Sequence, residues 1–201
     1  DRQKDIREEI GETIALKENR VLIKPFDSIH VISGQGTAAL EVIEAEKNNK
    51  KFDAAIICAS GGGLAAGSSI VLKNHNPKCK IYTAEPAAWN DHQQSFAANK
   101  RIYIKDVEHG ICDALESPVP GKITFAINNK NKVKGLSVDN NEIIKAMRFA
   151  YEQFNFILEP SGAIALACLK SEKIKFKNKK ILIMLSGGNI SKDRFYKYIA
   201  R

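Results

Sequence analysis

The chain has 201 residues, of which 27% are charged and 44% hydrophobic, and this is the composition of an ordinary globular protein with a sizeable core. No apolar run approaches the roughly 18 to 20 residues that cross a bilayer, and the net charge of +8 comes mainly from dispersed lysines rather than from a basic stripe. We therefore expect no membrane and no nucleic acid as partners. The four cysteines include no CxxC pair, so we expect free thiols and a cytoplasmic protein.

The chain opens in a charged helical pattern, with neither an initiator methionine nor a signal-peptide pattern. We expect a helix over residues 1–17 and a short apolar strand at 21–23. A loop is then predicted through residues 34–37 (GQGT), with the next helix beginning at Ala38. This opening indicates a piece of a longer protein.

The middle of the chain alternates between strand and helix patterns. Residues 52–59 (FDAAIICA) form a continuous apolar run of strand length, typical of a parallel strand covered on both faces. A helix with small residues at its start follows, then a strand at 80–86 (KIYTAEP) and another helix. This alternation predicts an α/β fold with a doubly wound, mostly parallel sheet.

The second half continues the alternation after an irregular, proline-containing loop that leads into a short helix. A strand is expected to end at Val138, followed by a helix in which Asp139 and Glu142 form a capping box. Pro160 fits the first turn of the next helix. The chain closes with a strand, a Ser-Gly-Gly turn and a last helix.

Two predicted strands end in Ser-Gly-Gly, at Ser60-Gly61-Gly62-Gly63 and at Ser186-Gly187-Gly188. Ligands of such sheets bind beyond the carboxyl ends of the strands. The first turn leads into a helix, where unpaired N–H groups and the helix dipole favour an anion, typically a phosphate. Glycine also admits a close neighbour because it has no Cβ. A tight turn without a ligand is the alternative.

A second alternative is a nicotinamide-dinucleotide site. Residues 61–66 satisfy the G-x-G-x-x-A pattern, and Glu85 follows at about the distance of a ribose-binding acid. Two features argue against it: the second Ser-Gly-Gly turn has no role in that scheme, and Glu85 is followed by Pro86 and Asp91.

Six motifs, in order, resemble the serine racemase and serine/threonine dehydratase family of fold type II pyridoxal-phosphate enzymes. They are KPFDSIHVISGQGTAALEV, SGGGLAAG, YTAEPAAWND, SPVPGKITF, LEPSGAIALA and MLSGGNIS. The resemblance implies that pyridoxal 5'-phosphate is the cofactor and that the substrate is a small amino acid. It implies that the phosphate is bound by the following residues: Ser60, Gly61, Gly62, Gly63 and the N–H of Leu64.

In the same family, the serine of the last Ser-Gly-Gly forms a hydrogen bond with the pyridine nitrogen. The resemblance implies this role for Ser186. A neutral hydroxyl does not protonate that nitrogen, so the ring is a weaker electron sink and loss of a β-hydroxyl is favoured. The expected reaction is α,β-elimination from threonine, serine or hydroxyaspartate, giving a keto acid and ammonia. Glu159 is expected near the ring. Phe26 follows the dehydratase form of its motif and also favours elimination over racemisation.

A divalent cation is implied by the same resemblance. Glu85, Asp91 and the backbone carbonyl of Trp89 correspond to the ligands of the metal-binding members, and such oxygen donors suit Mg²⁺ or Ca²⁺. A surface carboxylate and a helix N-cap are the alternative reading of the two acids. The histidines are expected to be ordinary surface or packing residues.

Two departures from the family are visible. Its Ala-Asp-Gly near the cofactor reads Cys112-Asp113-Ala114 here, which adds a methyl group. Its Ser-x-Lys-x-Arg motif, which carries the lysine that holds the cofactor as an imine, does not occur in the 201 residues. We therefore expect residues 1–30 to be a remnant of the smaller domain and 31–201 the large cofactor domain of a homodimeric enzyme, and this chain alone to be inactive.

Overall fold

The computed structural model of the protein describes residues 7–46, 50–105 and 107–200. Four parallel strands form one sheet within these ranges: β1 (Ala54–Cys58), β2 (Lys80–Pro86), β3 (Lys134–Val138) and β4 (Ile181–Ile183), in the order β3-β2-β1-β4. The helices are α1 (Arg7–Lys17), α2 (Ile29–Ala45), α3 (Gly63–His75), α4 (Asp91–Ala98), α5 (Lys122–Lys130), α6 (Asn140–Phe154), α7 (Pro160–Lys170) and α8 (Lys192–Ile199). The predicted α/β class with a parallel sheet is confirmed.

Strand β1 lies at the centre of the core. Ala54, Ile56 and Cys58 face one hydrophobic cluster, which also contains side chains of α6, α7 and α8. Ala55 and Ile57 face the other cluster, which contains side chains of α2 and α3. Because successive side chains of a strand point to opposite faces, helices on both faces leave β1 no polar side. This explains its uninterrupted apolar sequence.

Helix α2 begins earlier than its sequence predicts. The expected loop at residues 34–37 is helical, and the helix runs from Ile29. The glycines here serve close helix packing: a Cβ on Gly36 would lie 3.1 Å from the carbonyl oxygen of Gly67 in α3, and a Cβ on Gly67 would meet the carbonyl oxygen of Ile32. The prediction was wrong because these glycines bring two helices together and do not mark a turn.

The first predicted elements are only partly present. Residues 1–6 of the expected first helix lie outside the described residues, and the helix is described from Arg7. The predicted strand at 21–23 is absent: this segment pairs with no strand in the described ranges, and Val21 is 91% exposed. The capping box of Asp139 with Glu142 and the position of Pro160 in the first turn of α7 are confirmed. No helix of the described residues is long and apolar enough to span a membrane.

Candidate functional site

The two Ser-Gly-Gly turns lie together at the carboxyl edge of the sheet. The chain winds from β1 through β2 to β3 and then returns to β4 on the other side of β1. The winding direction therefore reverses between β1 and β4, and one turn follows each of these two strands. Such a switch point is where open α/β sheets bind their ligands.

The contact that joins the two turns is between Cys58, the last residue of β1, and Ser186. The Cys58 Sγ and Ser186 Oγ atoms lie 3.0 Å apart. Burial raises the pKa of the Cys58 thiol, which therefore stays protonated. The predicted cofactor residue Ser186 is thus held beside the first turn by a neutral partner.

The first turn has an unusual backbone. Gly62 has a φ of 91°, and Ser60 adopts the left-handed region with a φ of 55°. A Cβ on Gly61 would meet the ring of Phe26, and a Cβ on Gly62 would lie 2.6 Å from Cε1 of His92. The side chains of Phe26 and His92 therefore leave no room for a Cβ at these two positions, whether or not a ligand is bound.

Several N–H groups of this turn are available to a ligand. Among the described residues, no acceptor takes a hydrogen bond from the backbone N–H of Gly61, Gly63 or Leu64. Helix α3 begins at Gly63, and its N-cap is Gly62, which has no side chain to cap it. The turn therefore has the unpaired donors and the positive helix end that bind a phosphate.

Asp27 is a residue of this region that the sequence reasoning missed. Its carboxylate accepts hydrogen bonds from the backbone N–H groups of Lys122, Ile123 and Thr124 at distances of 3.0, 2.8 and 3.2 Å. It therefore caps α5, whose own N-cap is Gly121. The signal in the sequence is weak: Gly121 at the N-cap has no side chain of its own to cap the helix.

The start of α5 in turn holds the first glycine turn. The carbonyl oxygen of Gly61 accepts hydrogen bonds from Oγ1 of Thr124 at 2.6 Å and from the N–H of Gly121 at 3.2 Å. These contacts fix the position of the Gly61 carbonyl. Thr124 is fully buried, and nothing in its local sequence singles it out.

Glu159 lies beside the second turn. Its backbone N–H donates to the carbonyl oxygen of Gly187 at 3.2 Å, and a Cβ on Gly187 would meet its carboxylate. Burial, together with the charge of Asp113, raises the pKa of this carboxyl. Glu159, which is predicted to lie near the cofactor ring, thus borders Gly187, the residue that follows Ser186 in the chain. Ala114, which replaces the glycine of the family motif, is exposed in a 3-10 helix.

The predicted metal ligands Glu85 and Asp91 form a buried acid pair, with exposures of 1% and 0%. Both Glu85 oxygens accept backbone N–H groups, from His92 and Gln93, at 2.8 Å each. Neither Asp91 oxygen has a hydrogen-bond partner of normal geometry among the described residues, although the Glu85 carboxyl lies close enough to interact with it. Burial raises the pKa of Asp91 to about 7, and burial together with Asp91 raises the pKa of Glu85.

Two neighbouring buried carboxylates are costly unless a cation or protons compensate their charge. The unpartnered oxygens of Asp91 therefore fit a divalent cation with oxygen ligands. Trp89 lies between the two acids in the chain, in the 3-10 helix Ala87–Trp89. No group of three or more histidine, cysteine, aspartate or glutamate side chains in the described ranges is placed to hold a metal. Further ligands here would be carbonyl oxygens and water.

The same geometry argues against the dinucleotide alternative. That reading needs the acid at the end of β2 to face a ribose. Glu85 is instead 1% exposed, and its oxygens face the first turn of α4. It is not available to a ligand above the sheet.

A cavity of about 280 Å³ lies apart from the two turns, next to Trp89 and His109. It is bordered by the ends of β2 and β3, and neither Ser-Gly-Gly turn lines it. The rings of Trp89 and His109 stack with centroids 6.4 Å apart on its wall. The cavity is not the site predicted from the motifs.

Comparisons with known proteins agree with the resemblance. The model of a family described as "Pyridoxal-phosphate dependent enzyme" matches residues 1–187. The chain is 35% identical to serine racemase of Schizosaccharomyces pombe over all 201 residues, and 36% identical to L-threo-3-hydroxyaspartate ammonia-lyase of Saccharomyces cerevisiae over 94% of its length. The structure of maize serine racemase superposes with a TM-score of 0.86 and 34% identity over 96% of the chain. The chain spans 61, 57 and 59% of these three proteins.

Proposed function

We propose that this chain, which belongs to the family of pyridoxal-phosphate-dependent enzymes, carries the cofactor-binding sheet of an α,β-eliminating enzyme. Its substrate would be a small hydroxy amino acid such as threonine, serine or hydroxyaspartate, and its products a keto acid and ammonia. The observation that carries the proposal is the meeting of the two Ser-Gly-Gly turns at the switch point, with Ser186 3.0 Å from Cys58. An ammonia-lyase among the similar proteins supports elimination.

The phosphate of the cofactor would bind to the turn from Ser60 to Leu64. The support is the set of backbone N–H groups, including those of Gly63 and Leu64, that no described acceptor uses. Phe26 packs on Gly61, so the phosphate would approach along the N–H groups and not over the Gly61 Cα. Thr124 and Gly121 hold the Gly61 carbonyl away from this position, since they donate to it.

When bound, pyridoxal phosphate supplies an electron sink for the bond broken at the substrate Cα. Ser186 would donate its hydroxyl proton to the pyridine nitrogen, which remains unprotonated. The thiol of Cys58 can donate to the Ser186 oxygen and so orient that hydroxyl. A neutral partner makes the ring a weaker sink than a carboxylate partner would, and this favours expulsion of the β-hydroxyl.

Glu159 would lie near the cofactor ring, because it borders the turn that carries Ser186. Because its pKa is raised, the Glu159 carboxyl keeps its proton, and is uncharged, up to a higher pH than an exposed glutamate. The lysine that abstracts and returns the Cα proton is not assigned, because no Ser-x-Lys-x-Arg motif occurs in these 201 residues.

A Mg²⁺ or Ca²⁺ ion would be bound by Glu85, Asp91 and the carbonyl of Trp89. The chain contains a single tryptophan, and this allows a direct test. Terbium, a luminescent substitute for Ca²⁺, should be sensitised by Trp89, and an excess of Ca²⁺ should remove the signal. Terbium luminescence that persists in Asp91→Asn would refute the assignment.

We propose a homodimer in which residues 1–30 belong to a smaller domain and residues 31–201 to the large one. Exposed apolar side chains are concentrated before α2, where Leu16 is 85% and Ile23 78% exposed, and such a surface is normally covered. The four cysteines are free and buried, which supports a reducing, cytoplasmic location. Light scattering of the purified protein tests the dimer.

The function is tested by assaying keto-acid release from L-serine, L-threonine and L-threo-3-hydroxyaspartate, with D-serine formation measured in parallel. We expect elimination to exceed racemisation in a parent protein that carries the lysine motif. Residues 1–201 alone should bind the cofactor weakly and release no keto acid. Borohydride reduction that labels a single lysine stoichiometrically in residues 1–201, together with keto-acid release, would contradict this. Absence of activity in the parent would identify a non-catalytic relative.

A further inference from the structure

His92 connects the acid pair to the glycine turn. Its backbone N–H donates to Oε1 of Glu85 at 2.8 Å, and its side-chain Nε2 lies 2.8 Å from the carbonyl oxygen of Ser60. It is the second residue of α4, which begins at Asp91. One residue therefore contacts a proposed cation ligand through its backbone and the proposed phosphate turn through its side chain.

The ring of His92 is held in one orientation. The Ser60 carbonyl can only accept a hydrogen bond, so Nε2 carries the proton. The imidazole is fully buried, and its Nδ1 has no hydrogen-bond partner among the described residues. Phe96 packs on one side with ring centroids 5.5 Å apart, and a Cβ at Gly62 would lie 2.6 Å from Cε1. The ring cannot turn without moving the glycine turn.

The backbone conformation of Ser60 requires stabilising contacts from outside the turn. This residue has a φ of 55°, which a residue with a Cβ adopts only where its surroundings stabilise it. The hydrogen bond from His92 to the Ser60 carbonyl is such a stabilising contact. A shift at the start of α4 would therefore be transmitted to the backbone that points its N–H groups at the phosphate.

We propose that His92 is a positioning residue that couples the divalent cation to the cofactor phosphate. A cation bound by Glu85 and Asp91 fixes the start of α4, and His92 then holds Ser60 in its left-handed conformation. Because binding linkage is reciprocal, the cation strengthens phosphate binding and the phosphate strengthens cation binding by the same factor. The inference rests on the proposed function and adds to it a connection between its two ligand sites.

The test uses 4'-deoxypyridoxine 5'-phosphate, which lacks the aldehyde and so binds without forming an imine. Its dissociation constant is measured by calorimetry with saturating Ca²⁺ and with EDTA. In the wild-type protein we expect roughly tenfold tighter binding with Ca²⁺, within the usual range of coupling between two sites. His92→Ala should bring this ratio close to one. His92→Gln, whose amide N–H can replace Nε2–H, should restore part of it.

Ser95→Ala is the matched control. Ser95 is buried on the same helix, and its Oγ accepts the backbone N–H of Ile102 at 2.8 Å, with no contact to the glycine turn. This variant should lose stability and keep the wild-type ratio. If His92→Ala does not fold by circular dichroism, the comparison of His92→Gln with Ser95→Ala decides.

The outcomes separate this inference from the proposed function. Failure of the analogue to bind wild-type protein under either condition would overturn the proposed cofactor site itself. Failure of Ca²⁺ to bind would overturn both the metal assignment and the coupling. If both ligands bind but the analogue has the same dissociation constant with Ca²⁺ as with EDTA, only the proposed coupling is wrong. A ratio that survives in His92→Ala, or that disappears in Ser95→Ala, would show that His92 does not transmit it.

Discussion

The thiol of Cys58 lies 3.0 Å from the hydroxyl of Ser186, although 128 residues separate them in the chain. The pair forms because β1 and β4 are neighbours in the sheet, with Ala54 opposite Ile181 in register. Burial raises the pKa of the Cys58 thiol, so its S–H remains available to the serine oxygen. Ser186 can then direct its own proton toward a ligand beyond the edge of the sheet.

Ser186→Ala should weaken binding of the cofactor analogue about fivefold, which corresponds to about 1 kcal/mol for one lost hydrogen bond. The fold should be unaffected, because Ser186 follows the last strand. Cys58→Ala should have a smaller effect, and Cys58→Ser should retain the wild-type affinity. Calorimetry measures all three variants. Equal affinities of Ser186→Ala and the wild type would remove Ser186 from the site.

Gly61→Ala should lower the free energy of unfolding by about 1–3 kcal/mol, because the new methyl meets the ring of Phe26. The control is Gly34→Ala in α2, where a Cβ has no neighbour within 4 Å. That variant should gain about 0.5–1 kcal/mol of stability from helix propensity. Urea titrations measure both. Combining Gly61→Ala with Phe26→Ala should give less than the sum of the single losses, and strict additivity would contradict the contact.

Asp27→Ala should lower the free energy of unfolding by about 1–2 kcal/mol, because α5 loses its N-cap. It should also weaken analogue binding, since the start of α5 holds the Gly61 carbonyl through Thr124. Asp139→Ala is the matched control: it removes the cap of α6, and among the described residues no hydrogen bond joins Asp139 to the glycine turn. A similar loss of stability is expected there with unchanged affinity. Equal affinity losses in the two variants would mean that Asp27 acts only through global stability.

Asp91→Asn should raise the Tm in EDTA, because it removes a buried charge whose oxygens have no hydrogen-bond partner among the described residues. Ca²⁺ should raise the Tm of the wild type. At a Ca²⁺ concentration one hundred times the dissociation constant, the free energy of unfolding should increase by about 2.7 kcal/mol. Ca²⁺ should not raise the Tm of Asp91→Asn. Glu152→Gln changes an exposed carboxylate on α6 and should behave as the wild type. A Ca²⁺ shift that survives in Asp91→Asn would place the ion elsewhere.

The sequence by itself determined the features that depend on near neighbours. The capping box of Asp139 with Glu142 and the position of Pro160 follow from residue types at fixed short spacings, and both are present. The apolar run of β1 predicted a strand covered on both faces, because such a strand can carry no polar side chain. The class of the fold followed from the alternation of strand and helix patterns, and the family from the resemblance of six motifs in order.

Only the tertiary structure decided which distant residues meet. Residues 34–37 are helical because Gly36 packs on Gly67, and residues 21–23 form no strand because no described strand pairs with them. Asp27 reaches α5 across 95 residues, and His92 reaches Ser60 across 32. A cap or a turn is specified by a few adjacent residues, whereas these contacts depend on the order of the strands. That order is set by the burial of the whole core, and no short segment of the sequence encodes it.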